Sequence, residues 1–228
     1  VTGAITGTTD ATINGVTVGK GANSVFGNTV LGAAALDAAV TGGSNTAIGK
    51  SALTTLTSGT SNTAVGLESL EANTTGAHNT AVGVRALEAN TTANENTAIG
   101  RSAMFSNTTG ASNTAVGRSA LKQNTTGANN VAVGSNTLDA NTTGSNHIAI
   151  GNEALAANTT GSDNLAIGYS TLQKNTTGIR NVGVGSNTLE DNVDGNYNVA
   201  VGYDALREAT ASNNTGVGFE ALKNNTTG

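Results

Sequence analysis

One five-residue phrase, Asn-Thr-Ala-[Val/Ile]-Gly, recurs along this chain at a fixed interval. It reads Asn45 to Gly49, then starts again at Asn62, Asn79, Asn96 and Asn113. The glycines that close it are Gly32, Gly49, Gly66, Gly83, Gly100, Gly117, Gly134, Gly151, Gly168, Gly185, Gly202 and Gly218. Successive glycines are 17 residues apart, except for a last interval of 16, where a residue is missing near Thr210-Ala211. Twelve copies therefore run from Asn28 to Gly228, the last ending two positions short of a full unit.

The period selects the architecture. A strict repeat of this kind is a one-dimensional stack in which each unit buries its apolar residues against its neighbours. Seventeen residues do not fit a whole number of α-helical turns, so a continuous helix would rotate its apolar face from copy to copy. Asn, Thr and Gly, which dominate the repeat, are also poor helix formers. Helix-pair repeats need roughly 33 residues or more. The unit fits one coil of a β-solenoid, two short strands joined by two tight turns. Asn-Thr-Thr-Gly supplies one turn, its Gly being free to take positive φ, and the Gly closing the phrase marks the other bend. Coils about 4.8 Å apart would make a rod on the order of 55–60 Å long.

The repeat is N-T-A-[VI]-G-x-x-A-L-x-x-N-T-T-G-x-x, and its columns divide sharply. Two are large and apolar. One carries Ile48, Val65, Val82, Ile99, Val116 and Val133, and the other Leu53, Leu70, Leu87 and Leu121, with Met104 among them. They read as the interior ladder of the coil. Neighbouring strand residues face opposite ways, so the column before the first should face outward. It stays small: Ala47, Ala64, Ala81, Ala98, Ala115, Ala132. A small outer stripe is expected where a second copy of the chain approaches closely. Two large apolar residues per coil are also a thin core for a monomer. Both arguments favour a homo-oligomer.

The charges fall almost entirely in the six variable columns, as solvated positions would. The Asn column (Asn73, Asn90, Asn107, Asn124 and onward) reads as a buried amide ladder. Each Asn-Thr-Thr is also formally a glycosylation acceptor. The paired threonines, such as Thr74-Thr75, raise a further alternative, an ice-binding solenoid with a Thr ladder. Phe105, Tyr169, Tyr203 and Phe219 lie in variable columns and are receptor-contact candidates.

Composition excludes much else. Pro, Cys and Trp are all zero, so there is neither a disulfide nor a thiolate metal site. A net charge of −5 gives no attraction for nucleic acid. No apolar run approaches the roughly 20 residues of a membrane span. His78 and His147 stand in different columns, and no carboxylate pair recurs, so no catalytic residue, cofactor site or metal site is expected. Glu190, Asp191 and Asp194 read as a solvated acidic turn.

The repeat resembles the head repeats of trimeric autotransporter adhesins of the YadA-like kind, which are shorter. Its A-L-x-x-N-T-T-G portion is closer to tail-fibre proteins of bacteriophages and prophages. The stretch Ile13-Asn14-Gly15-Val16-Thr17-Val18-Gly19-Lys20-Gly21 resembles the one that often precedes such repeats in phage fibres. The resemblance spans about residues 12–228. It implies a left-handed coil, a homotrimeric rod and a place in a virion tail fibre or at a cell surface. It also implies a glycan or protein receptor as partner.

The expectation is thus an all-β protein, a parallel β-solenoid (β-roll) of 17-residue coils. Residues 1–27 form a lead-in and cap, and 28–228 form twelve repeats. Val1 to Asp10 reads as a flexible or extended lead-in, and Ile13 to Phe26 as strands covering the open edge of the first coil. The expected role is a non-enzymatic shaft or head that holds or forms a host-attachment surface, a structural and adhesin-like part. The alternatives are the ice-binding solenoid and a glycosylated extracellular filament subunit.

Overall fold

The computed structural model describes residues 10–227. Within them the chain forms the expected parallel β-solenoid. The strands are β1 (Ala11–Ile13), β2 (Val16–Gly19), β3 (Thr29–Gly32), β4 (Thr46–Ile48), β5 (Thr63–Val65), β6 (Thr80–Val82) and β7 (Thr97–Ile99). They continue with β8 (Thr114–Val116), β9 (Val131–Val133), β10 (Ile148–Ile150), β11 (Leu165–Ile167), β12 (Val182–Val184), β13 (Val199–Val201) and β14 (Thr215–Val217). All lie in one sheet in chain order. From β3 to β14 every pairing is parallel and joins equivalent residues of adjacent copies, as Ala64 with Ala81 and Val65 with Val82. The part of the lead-in at residues 1–9 lies outside the described residues, as does Gly228.

Only one short strand per coil is regular, yet hydrogen bonding runs around the whole contour. The Leu70 N–H donates to the Ala86 carbonyl at 3.0 Å, Ala72 to Glu88 at 2.9 Å and Thr74 to Thr91 at 2.9 Å. The second expected strand is therefore a run of turns whose backbone still pairs with the next coil, which satisfies its polar groups without strand geometry.

That contour depends on left-handed backbone at ordinary residues. Each coil places a non-glycine at positive φ in the corner after the closing Gly (Arg85, φ 60°), at the core leucine (Leu87, φ 52°) and just before the strand (Glu95, φ 61°). The closing glycines themselves lie at φ 128–141° from Gly49 onward. Among the described residues, glycines of the Asn-Thr-Thr-Gly turn do not have positive φ, contrary to the expectation from sequence. They are small because a Cβ at Gly127 would run into the Gly144 carbonyl one coil on.

The interior corrects the sequence reading of the strand. The leucines are buried as expected, Leu53, Leu70, Leu87 and Leu121 all being fully enclosed. The strand residue that faces them is the alanine. Ala47, Ala64, Ala81, Ala98, Ala115 and Ala132 are buried in their own coil. Ile48, Val65, Val116 and Val133 are half-buried on the outer face, and Val82 and Ile99 are exposed there. The small column does mark a close approach of a second surface, but that surface is the opposite wall of the same coil. Where glycine occupies this column, a Cβ at Gly216 would touch the Leu206 side chain at 3.0 Å, so the leucine leaves room for a methyl group and little more.

Two amide ladders complete the interior. The expected one links Asn73, Asn90, Asn107, Asn124, Asn141, Asn158, Asn175 and Asn192, each later Nδ2 donating to the Oδ1 one coil earlier at 2.8–3.0 Å. The second uses the Asn that opens each phrase. The Asn62 Nδ2 donates to the Gly76 carbonyl at 2.9 Å, and its Oδ1 accepts the Asn79 backbone N–H at 3.0 Å.

The first coil is covered by β1 and β2, which pair antiparallel with each other, β2 also pairing antiparallel with β3. Asn14-Gly15, with φ 49° and 80°, makes the hairpin turn. The Asp10 carboxylate caps the next bend, accepting the N–H groups of Lys20 and Gly21 at 2.6 Å each.

Candidate functional site

The outer face of the sheet is the most extended candidate. Alternation along each strand turns both flanking residues outward when the alanine faces in. From β4 to β8 these are a Thr and a Val or Ile, as in Thr63 and Val65. From β9 to β13 both are aliphatic: Val131 and Val133, Ile148 and Ile150, Leu165 and Ile167, Val182 and Val184, Val199 and Val201. Ile148 is 45% exposed and Ile150 39%. The result is an apolar stripe with no charged side chain on the strands.

The oligomer-interface candidates Ala47, Ala64, Ala81, Ala98, Ala115 and Ala132 cannot serve that role, because they are enclosed in the coil. The outward-facing members of the supposed core ladder, Ile48, Val65, Val82, Ile99, Val116 and Val133, occupy the surface assigned to them instead. The signal was present in the sequence, since position two shares a face with the Val column and is Thr from β4 to β8, a polar side chain that an interior would have to pair.

The aromatic candidates fall into two columns. Tyr169, Tyr203 and Phe219 share the column after the closing Gly. Tyr203 and Phe219 stack on each other at 5.6 Å, and Tyr169 stands exposed. Phe105 lies elsewhere, half-buried beneath the Arg85 guanidinium at 4.6 Å. Tyr197, exposed and packed with Arg180 at 5.7 Å, belongs with this group and was not singled out from the sequence.

Charged side chains bridge adjacent coils. Lys174 pairs with Asp191, Arg207 with Glu190 at 2.7 Å, and Lys223 with Asp204 at 2.7 Å. The acidic stretch Glu190-Asp191 is thereby matched by cations one coil away, while Asp194 stays exposed. Asp204 departs from the solvated pattern, being buried. Burial opposes its charge, but hydrogen bonds from Lys223 and Asn187 and the charges of Lys223 and Arg207 outweigh it and hold the carboxyl below its ordinary value.

Glu68, Glu71 and Glu88 bring carboxylate oxygens within 4.8 Å of one another. The repeat register predicts this meeting, because Glu71 and Glu88 are equivalent positions of successive coils. Arg85 already bonds Glu88 and lies 3.5 Å from Glu68. Burial and repulsion from Glu68 and Glu88 push Glu71 up, against the pull of Arg85. The group is a compensated surface cluster.

The Asn-Thr-Thr sites from Asn73 to Asn175 are closed in the folded coil, where each Asn is fully buried with its nitrogen engaged, as at Asn73 and Asn175, while Asn225 is half-buried. Of each Thr pair, the first hydroxyl donates to backbone one coil on, as Thr74 to the Thr91 carbonyl at 3.1 Å. The second, as in Thr75, Thr92 and Thr109, is exposed. Among the described residues no helix is long and apolar enough to cross a membrane. No protein-family model matches the chain, and neither a curated protein nor a solved structure matches it.

Proposed function

We propose that this chain is a non-enzymatic fibre segment, a rod that assembles with two further copies of itself along the outer face of its sheet. In this reading it serves as the shaft or head of a phage tail fibre or of a related surface adhesin. The observation that carries the proposal is the uninterrupted outward aliphatic column, Ile48 through Val201. Monomeric proteins rarely expose so long an apolar stripe. A face of twelve strands at about 4.8 Å each, some 10–15 Å wide, offers on the order of 600–800 Å² per copy, close to the roughly 800 Å² per partner of a stable interface. The rod's mechanism is mechanical. It spans distance, it offers proteases a backbone paired along its whole contour, and it carries exposed aromatics such as Tyr169 toward a glycan or protein receptor.

Light scattering behind size exclusion tests this. Three chain masses are expected for the native chain, and a folded monomer for Ile167→Asp with Val184→Asp. A native monomer overturns the proposal. One observation favours a second reading. The exposed threonines Thr75, Thr92, Thr109, Thr126, Thr143, Thr160 and Thr177 form a straight hydroxyl column on another face, and a monomer showing thermal hysteresis would support an ice-binding role.

A further inference from the structure

His147 stands where the neighbouring coils carry the asparagine that opens the phrase, and it is fully buried. The ring reproduces both bonds of the amide it replaces. Its Nε2 lies 2.7 Å from the Gly161 carbonyl, where Asn62 would place Nδ2–H. Its Nδ1 accepts the Asn164 backbone N–H at 3.3 Å, where Asn62 would place Oδ1. A donor at Nε2 and an acceptor at Nδ1 define one neutral tautomer. The Asn158 Nδ2, 3.2 Å from Nε2, donates to the Asn141 Oδ1 at 2.8 Å and shares the Gly161 carbonyl.

An amide takes up no proton at physiological pH, whereas imidazole does so near 6.5. Protonating Nδ1 sets an N–H against the Asn164 N–H, and the buried backbone donor loses its acceptor. We infer that His147 is a single acid-sensitive joint in the rod, at which uptake of one proton opens the stack between the coils of β10 and β11 while the asparagine-linked coils stay closed.

The surroundings support this. Burial pushes the imidazole below its ordinary value, against the hydrogen bonds to Gly161 and Asn164 and the charge of Asp163. Asp163, exposed on the next coil, is the charged group that faces the ring. It is shared with Asn146 at 3.1 Å and Arg180 at 3.7 Å. The other side chains at the joint are neutral: Asn158 lies 3.2 Å from the ring, Asn141 accepts from Asn158, and Asn130 accepts the His147 backbone N–H. Because the folded value lies below the unfolded one, the joint is at full strength above about pH 6.5 and weakens as pH falls from there to the folded value. Within that window each pH unit raises the opening constant up to about tenfold.

Hydrogen exchange of the intact chain between about pH 7 and 4.5 tests the inference against His147→Asn at each pH, so that intrinsic exchange rates cancel. In the native chain, amides of β10 and β11 should exchange up to about tenfold faster per pH unit below the onset, relative to the variant. Amides of β5 and β6 should show no such excess. An identical acid profile in His147→Asn overturns the joint. So does an NMR titration of the native chain in which His147 protonates at the ordinary imidazole value near 6.5 with the Asn164 amide unmoved. That titration decides the matter alone if the variant does not fold.

Discussion

The side-chain carbonyl of Asn192 is buried and accepts no hydrogen bond, because Ala209 occupies the place from which the next asparagine would donate. In the preceding links, as at Asn141, the amide donates to one neighbour and accepts from the next. A buried orphan acceptor costs about 1–3 kcal/mol. Asn192→Ala should therefore destabilise the rod by about 1–2 kcal/mol less than Asn141→Ala, as read by denaturant unfolding. Ala209→Asn should raise the midpoint by restoring the donor.

The two strand columns make opposite predictions. Ala115→Val adds two carbons to a space that the leucine ladder already fills and should cost about 1–3 kcal/mol. Val116→Ala removes carbons from the outer face and should change the unfolding of an isolated chain by less than about 1 kcal/mol, while weakening self-association. Paired unfolding and light-scattering measurements on both variants check the assignment. Equal destabilisation by the two would return the valine column to the interior.

Two glycines of one coil should differ. Gly117 has φ 135°, and a Cβ there would run into the Gly134 carbonyl. Gly117→Ala combines backbone strain with a backbone clash and should cost about 3 kcal/mol or more. A Cβ at Gly127 would meet the Gly144 carbonyl as closely, but Gly127 carries no such φ and its column accepts Ala93 elsewhere, so Gly127→Ala should cost about 1–2 kcal/mol. Thermal unfolding of each variant alone gives the ranking.

Asp204 predicts an acid dependence of its own, near the C-terminal end. Its folded carboxyl titrates below the ordinary value, so its contribution is fully present above about pH 4 and is lost as pH falls through the folded value. This loss sets in at lower pH than that of His147. Lys223→Met should remove most of the dependence and lower the stability at neutral pH, since it strands a buried carboxylate that keeps Arg207 at 3.6 Å and Asn187 at 3.0 Å. Unfolding of native and variant chains from pH 6 to 2 checks it.

The repeat period alone was enough to read the solenoid, the leucine ladder and the Asn ladder. Each follows from one-dimensional stacking, which requires that a column buried in one coil be buried in the next. The antiparallel cover over the first coil was legible in the alternation after Ile13. The charge register was legible too, although it took the coils to show that Glu68, Glu71 and Glu88 meet.

What the tertiary structure decided is which way each strand faces. Alternation says that Ala115 and Val116 point to opposite sides, and it says nothing of which side is the interior. The choice follows from the width of the coil. At the equivalent Gly216 a Cβ would lie 3.0 Å from the Leu206 side chain of the preceding coil, so only a methyl group fits beneath the core ladder, and the branched side chain must turn outward. The same narrow contour forces leucines and corner residues into left-handed backbone, which no local preference announces, because leucine does not favour positive φ by itself. Sequence determined the stack, and the space between its walls determined the surface it presents.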